Sequence, residues 1–339
     1  MPGPSPAEAA IRVAVRRSLP IPPAVVLVAC SGGPDSLALA AAVAFEARGR
    51  GVRAGAVVVD HGIQPGSDAV ARLAAEQCRS LGLGPVLVKT VAVGAGANLE
   101  ARARDARYGA LAEAAGQVGA AAVLLGHTLD DQAETVLLAL ARGSGTRSLA
   151  AMAPVRGIYR RPMLGIRRAE TVEACAQAGL TPWDDPMNTP GGPHRCLRAE
   201  VRAEVLPLLA QVLGPGVILG LARTAELARM DSEALDGWAD GVQARALADG
   251  EVIASELARE PAAVRRRILR RAAIAWGSGA GAVAVRHVDA LDALVSDWHG
   301  QGPVALPGGV EVTRSCGKLV GNPSQQRRGA DRSGPQRDG

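Results

Sequence analysis

Two stretches of this chain carry residue types at spacings that can do chemistry. Residues 31–36 read Ser-Gly-Gly-Pro-Asp-Ser, directly after the apolar run Val25–Ala29 and directly before the helix-like LALAAAVAFEA. Gly32 and Gly33 allow a sharp turn and a close approach to an anion, and the helix that follows begins with unpaired N–H groups facing it. Ser31, Gly32, Gly33, Pro34, Asp35 and Ser36 therefore form a candidate phosphate cradle. It lacks the lysine of the G-x-x-x-x-G-K-[ST] loop, so it suits holding pyrophosphate as a leaving group while chemistry occurs at an α-phosphate.

Residues 126–135, Gly-His-Thr-Leu-Asp-Asp-Gln-Ala-Glu-Thr, are the second stretch. Asp131 and Glu134 (i, i+3), or Asp130 and Glu134 (i, i+4), share a helix face. Such carboxylates complement a helix N-terminus; opposite a phosphate turn they also suit Mg²⁺ on a triphosphate, with Asp130 as the candidate ligand, or an ammonium group. His127 is placed to donate to developing phosphate charge, and H-x-x-D-D is not a zinc pattern.

The elements that position these residues alternate. Strand patterns at 25–29, 53–60, 85–93 and 121–127 are separated by helix patterns at 67–81 and 98–116, with a further helix opened by Asp130 and Asp131. This predicts an α/β fold with a doubly wound parallel sheet, whose ligands bind beyond the carboxyl ends of the strands. SGGPDS, Asp60-His61-Gly62 and GHTLDDQAET all fall at such ends, which points to one shared site. Beyond residue 141, RGSGTRSLAAM reads as a polar loop and RPML leads into a helix over 167–178. TPWDDPMNTPGGPHRC is loop, and helices follow over 198–209, 216–240, 261–276 and 285–298, with a hairpin pattern over 304–320. The domain reading is a catalytic domain at 1–212, a helical linker with a small α+β C-terminal domain at 213–322, and a disordered Gly/Arg/Ser tail at 323–339.

The 339 residues are enough for two domains, and the net charge of +5 with a pI near 9.3 permits a nucleic-acid partner. The five cysteines are scattered and never form C-x-x-C, which argues against a disulfide framework, a zinc ribbon or a local iron–sulfur motif. No apolar run has the length of a signal peptide or a membrane span, so the sequence reads as cytoplasmic with no membrane partner. Trp183, Trp238, Trp276 and Trp298 read as core residues, and Cys30 as a small residue at a strand end.

The ordered set SGGPDS, NLEARARDARYGAL, GHTLDDQAETVLLALARGSG, RPML and WDDPMN resembles the tRNA(Ile)-lysidine synthetase family of the PP-loop, or N-type ATP pyrophosphatase, superfamily. LGPGV and LARTAELARMD resemble the linker helix of its actinobacterial members. The resemblance covers about residues 22–320 and implies a tRNA-modifying ligase. In that reaction O2 of the wobble cytidine of a CAU-anticodon tRNA(Ile) attacks the α-phosphate of ATP, releasing pyrophosphate. The ε-amine of free L-lysine then attacks C2, and AMP leaves.

The resemblance further implies that Ser31, Gly32, Gly33, Pro34, Asp35 and Ser36 bind ATP with Mg²⁺. It makes Asp35, Arg107, His127, Asp131 and Glu134 catalytic, with Asp131 and Glu134 also taking the lysine. Arg198 and Arg202 keep the outer arginines of the family's R-N-R-I-R element, with Ala199 and Glu200 replacing its asparagine and middle arginine. Together with Arg266 and Arg270 of the densest basic stretch they are candidate tRNA contacts. A homodimer is compatible with the sequence. The competing reading is another PP-loop tRNA enzyme, such as a cytidine 2-thiolase, which would call for clustered cysteines.

Overall fold

The strand expected ahead of SGGPDS is the centre of a sheet. In the computed structural model, which describes residues 3–62, 64–92, 99–143, 145–186 and 197–323, helix α1 (Pro6–Ser18) precedes β1 (Ala24–Ala29). Val26, Leu27 and Val28 are fully buried on alternating faces, as a strand covered on both sides requires. At roughly 1.5–3 kcal/mol per buried aliphatic side chain, these residues anchor the strand in the core.

From β1 the chain continues through α2 (Pro34–Ala47), β2 (Val52–Asp60), α3 (Ser67–Ser80), β3 (Val86–Thr90), α4 (Leu99–Val118) and β4 (Ala122–Leu125). Next come α5 (Leu129–Ala141), α6 (Thr146–Leu149), β5 (Val155–Arg156), β6 (Tyr159–Arg160) and α7 (Arg168–Gln177). The sheet order is β3-β2-β1-β4-β6-β5, with only β5 antiparallel to its neighbour. The expected parallel, doubly wound sheet is present. β1 pairs with β2 on one side and β4 on the other, so the chain reverses its winding there and opens a crevice beyond the two strand ends. One face of the sheet packs on α1, α2, α3 and α7, the other on α4. The segment expected to be loop at 142–152 contains the short helix α6.

The helix expected at 198–209 is three pieces: α8 (Leu197–Glu200), a π-helical turn over Val201–Val205, and α9 (Leu206–Leu213). Pro207 supplies no N–H to continue the ordinary ladder, and α9 accommodates it in its first turn. The chain then enters the 30-residue helix α10 (Val217–Ala246).

The chain divides into Met1–Arg229 and Met230–Gly339, inside α10 rather than at residue 212. The physical reason is a small core in which Ile218, with Leu221 and Ala222, closes on Leu129, Ala133 and Leu206, tying the start of α10 to the first unit. The second unit adds β7 (Leu247–Ala248), β8 (Glu251–Ile253), α11 (Ala254–Ala258), α12 (Ala262–Ala275), α13 (Val285–Ser296), β9 (Val304–Leu306), β10 (Val310–Ser315) and β11 (Lys318–Pro323). Its sheet is antiparallel, in the order β7-β8-β11-β10-β9, so the expected α+β domain is present and the hairpin strands β10 and β11 lie inside a five-stranded sheet, between β9 and β8. The tail expected to be disordered lies, beyond Pro323, outside the described residues. Among the described residues no single helix is long and apolar enough to cross a membrane.

Candidate active site

The SGGPDS turn is locked by its own last residue. Ser36 Oγ donates to the carbonyl of Gly33 at 2.9 Å and accepts from the backbone N–H of Ser31 at 3.1 Å, closing the turn on itself. Gly32 has φ +85°, and a Cβ there would stand 3.3 Å from that of Ala74, so both conformation and space require glycine. Its carbonyl accepts from the N–H of Trp183 at 2.9 Å. α2 begins at Gly33 with no side-chain cap, which leaves its first N–H groups available to an anion.

The second loop meets the first. A Cβ on Gly126 would stand 3.1 Å from the backbone of Asp35 and Ser36, so the loops after β1 and β4 touch. Thr128 then caps α5, and Asp131 returns the favour by accepting from Thr128 N at 2.7 Å and Thr128 Oγ1 at 2.9 Å. Asp131 is thus a helix cap as well as a cavity residue.

Between these loops lies a cavity of about 420 Å³, lined by Ser31, Asp35, Arg107, His127, Asp131 and Trp183 among others. An adjoining cavity of about 240 Å³ shares Arg107 and His127 and adds His61, Arg104, Tyr108 and Arg198. The Nδ1 atoms of His61 and His127 are buried without a hydrogen-bond partner among the described residues. Burial drives the His127 pKa down to about 3, and that of His61 downward too, so both rings are neutral near pH 7. His127 can donate an N–H, but not as an imidazolium.

The cavity floor is a row of alternating charges. Arg168 Nη2 lies 2.9 Å from Asp35 Oδ2 and 3.1 Å from Asp131 Oδ1. Arg202 Nη2 lies 3.2 Å from the same Asp131 oxygen, and the Arg202 guanidinium grips Glu134 beyond it. Burial raises the pKa of Asp35 despite Arg168 and a hydrogen bond from Thr171. Burial also works against the Asp131 carboxylate, yet Arg168, the Thr128 N–H and Arg202 together hold it below its usual value.

Asp35, Arg107, His127 and Asp131 come together as expected, and Ser31, Gly33, Pro34 and Ser36 line the same cavity. Several other expectations are corrected. Glu134 is fully buried, and its two oxygens lie 2.6 and 2.9 Å from Arg202 Nε and Nη2, so it backs an arginine instead of facing the cleft. Asp130 points away from the cavity: its oxygens accept from Arg167 Nε at 3.2 Å and from the Arg168 N–H at 2.8 Å, so it is no cation ligand in this arrangement. Arg202 turns inward onto two carboxylates instead of outward to a polynucleotide. Arg198 lines the smaller cavity.

The basic helix α12 is paired within its own unit. Arg265 meets Asp292 at 2.5 Å, Arg266 meets Asp289, and Arg267 and Arg271 meet Asp236. Arg270 donates to the carbonyls of Val283 and, at 2.7 Å, Ala280. These arginines hold the helix to its neighbours because each faces an acceptor; the Arg266 pair with Asp289 is itself solvent-exposed. Three of the four tryptophans are corrected as well: Trp183 lines the larger cavity, and Trp238 and Trp298 are 50% and 40% exposed, whereas Trp276 packs against the core of the second unit as expected. Met187 and Asn188 of WDDPMN lie outside the described residues. Sequence reading missed Arg168 and Thr171, whose only linear signal is their place at the start of the helix after RPML.

The chain matches the PP-loop domain family over residues 10–209 and the TilS substrate binding domain family over residues 254–320. Among solved structures it is similar to the U34-tRNA thiolase NcsA from Methanococcus maripaludis. The TM-score is 0.55 at 20% identity, covering 66% of this chain and 78% of that one, a likeness of fold. It is 52% identical to the tRNA(Ile)-lysidine synthase of Thermobifida fusca, over 94% of this chain and 99% of the relative. It is 49% identical to that of Streptomyces coelicolor over the same shares, and 53% identical to that of Leifsonia xyli over 89% and 91%. With a PP-loop cradle on a doubly wound sheet, a second unit of the matching kind, and identity near one half along almost its whole length, the chain belongs to the tRNA(Ile)-lysidine synthase family.

Proposed function

We propose that this enzyme uses ATP to join L-lysine to C2 of the wobble cytidine of a CAU-anticodon tRNA(Ile). The observation that carries this reading is the cavity between SGGPDS and the start of α5, where an anion-binding turn faces Arg107, His127 and Asp131. The free N–H groups of α2 and the Ser31 hydroxyl suit the β- and γ-phosphates. Cytidine O2 attacks the α-phosphate, the bond to pyrophosphate breaks, and Arg107 stabilises the charge that develops. His127, neutral, donates one hydrogen bond to the same region.

The ε-amine of lysine then attacks C2, its proton passes to a carboxylate, and AMP leaves. Asp131 is the expected site for that amine, since it alone of the α5 carboxylates lines the cavity. Asp184 and Asp185 stand on the same wall and supply hard oxygen donors of the kind that would hold Mg²⁺ arriving with the triphosphate. The exposed side chains of Leu208, Val212, Leu213 and Leu219 give a surface suited to a homodimer, which sedimentation tests.

The cytidine 2-thiolase reading is disfavoured because no described cysteine lines either cavity; Cys30, Cys78 and Cys175 are buried in the core. One experiment decides: incubation with ATP, radiolabelled lysine and a CAU-anticodon tRNA(Ile) transcript should place label in the RNA. Absence of label with a folded, ATP-binding protein would overturn the assignment.

A further inference from the structure

Helix α7 presents one face to the phosphate turn. Arg168, Thr171 and Cys175 (i, i+3, i+7) lie on that face, and each touches the turn or the residue that leads α2. Arg168 Nη2 contacts Asp35 Oδ2 at 2.9 Å, and Cys175 Sγ donates to the carbonyl of Pro34 at 3.1 Å. Thr171, with no exposed surface, places its hydroxyl 2.5 Å from Asp35 Oδ1 and 2.7 Å from the carbonyl of Arg168. Both oxygens of Asp35 are therefore held from one helix, 133–136 residues away in the chain.

We infer that Thr171 is a positioning residue for Asp35, fixing the carboxylate's orientation at the mouth of the phosphate turn so that it points into the reaction cavity. A carboxylate gripped by Arg168 alone can still rotate about its χ2, a broad two-fold torsion; a second donor on the other oxygen removes that freedom. The hydroxyl carries one proton and has two acceptors within reach. Its donation to the ionised carboxylate is the stronger of the two, being charge-assisted. Asp35 itself meets the other groups packed around it through like charge from Asp131 and opposite charge from Arg202, neither of which sets its rotation. The inference rests on the ATP-dependent reading of this cavity.

The test uses two substitutions of the full-length enzyme that separate positioning from packing. Thr171→Val keeps the shape and loses the hydroxyl; Thr171→Ser keeps the hydroxyl and loses a methyl. Steady-state tRNA-dependent pyrophosphate release should show kcat down about 10- to 100-fold in Thr171→Val, the scale of one charge-assisted hydrogen bond. KM for ATP should move less than about threefold, and Thr171→Ser should stay within about threefold of wild type. A residue needed only for packing gives the reverse: Thr171→Ser loses thermal stability and rate while Thr171→Val keeps both, and that result overturns the inference. An unchanged kcat in Thr171→Val does the same.

A second readout does not depend on turnover. Because a donor to the ionised form favours it, the Asp35 carboxyl carbon, followed by NMR against pH, should titrate higher in Thr171→Val than in wild type and stay at the wild-type position in Thr171→Ser. An Asp35 titration unchanged in Thr171→Val would refute the positioning role. Failure of wild-type pyrophosphate release with this shift present would instead count against the proposed function.

Discussion

Arg202 meets the fully buried carboxylate of Glu134 with both Nε and Nη2, at 2.6 and 2.9 Å, from a π-helical turn 68 residues further along the chain. Such turns recur where a helix must aim a side chain at a site. Here the aim is inward, and the pair closes one end of the charge row that begins at Asp35.

Removing the cation leaves a buried carboxylate without a partner, which costs about 3–5 kcal/mol for buried pairs. Because the Arg202 side chain is 26% exposed, the low end applies, and Arg202→Ala is expected to lose about 3 kcal/mol in urea unfolding. Burial already pushes the Glu134 pKa upward, so the variant tolerates Glu134 best when protonated. Its deficit should therefore widen as pH rises above the ordinary carboxylate range. A deficit below about 1 kcal/mol that is flat with pH would show the pair to be dispensable.

Asp131 offers a cleaner probe of the amine site than Glu134. Asp131→Asn keeps a side-chain oxygen for the Thr128 cap, removes the charge, and turns an amide NH2 toward Arg168 and Arg202 in place of an acceptor. It is expected to raise KM for lysine about 10- to 100-fold, as loss of one charge-assisted hydrogen bond would. KM for ATP should move little, and adenylated tRNA should accumulate in a quenched time course. Collapse of adenylation with unchanged lysine dependence would move the carboxylate's role to the triphosphate.

His127 ties folding stability to acid. Its pKa is about 3 in the folded protein and near 6.5 unfolded, so between those values the unfolded chain binds a proton that the native one refuses. Stability should fall as pH drops from 6.5 towards 3, by at most about 1.4 kcal/mol per unit, and should be level above 7. His127→Gln should lose that slope. Equal acid sensitivity in wild type and variant would place a charged, solvent-relaxed imidazole at this position.

On α12, Arg270→Ala is expected to lower the thermal midpoint, since two carbonyls lose their donor. The slope of log K for tRNA against log salt should stay constant. A phosphate contact would reduce that slope by about 0.9 for each one lost, so a flattened slope would restore Arg270 to the RNA surface.

The sheet was legible because its signals are local: β-branched runs, glycine turns, and helix periodicity between them. The cradle and the cap at Thr128 were legible for the same reason. The ion-pair row was not, because Asp35, Asp131, Arg168 and Arg202 are joined by folding and not by spacing. The arginines illustrate the limit: a basic run such as Arg265–Arg267 looks like a polyanion surface until Asp292, Asp289 and Asp236 are seen opposite it. Arg202 and Glu134 each carried a functional reading, and each is largely consumed by the other.

Gly126 has one further consequence. Because a Cβ on Gly126 would stand 3.1 Å from the backbone of Asp35 and Ser36, the two strand-end loops share a border that a methyl group could enter only by shifting one of them. A change on one side of that border displaces the other, so substitutions made separately in the two loops will not add. Double-mutant cycles across it should return coupling energies of about 0.5–3 kcal/mol between residues that exchange no hydrogen bond. Effects on nucleotide and amine, measured one substitution at a time, will then be entangled through the backbone.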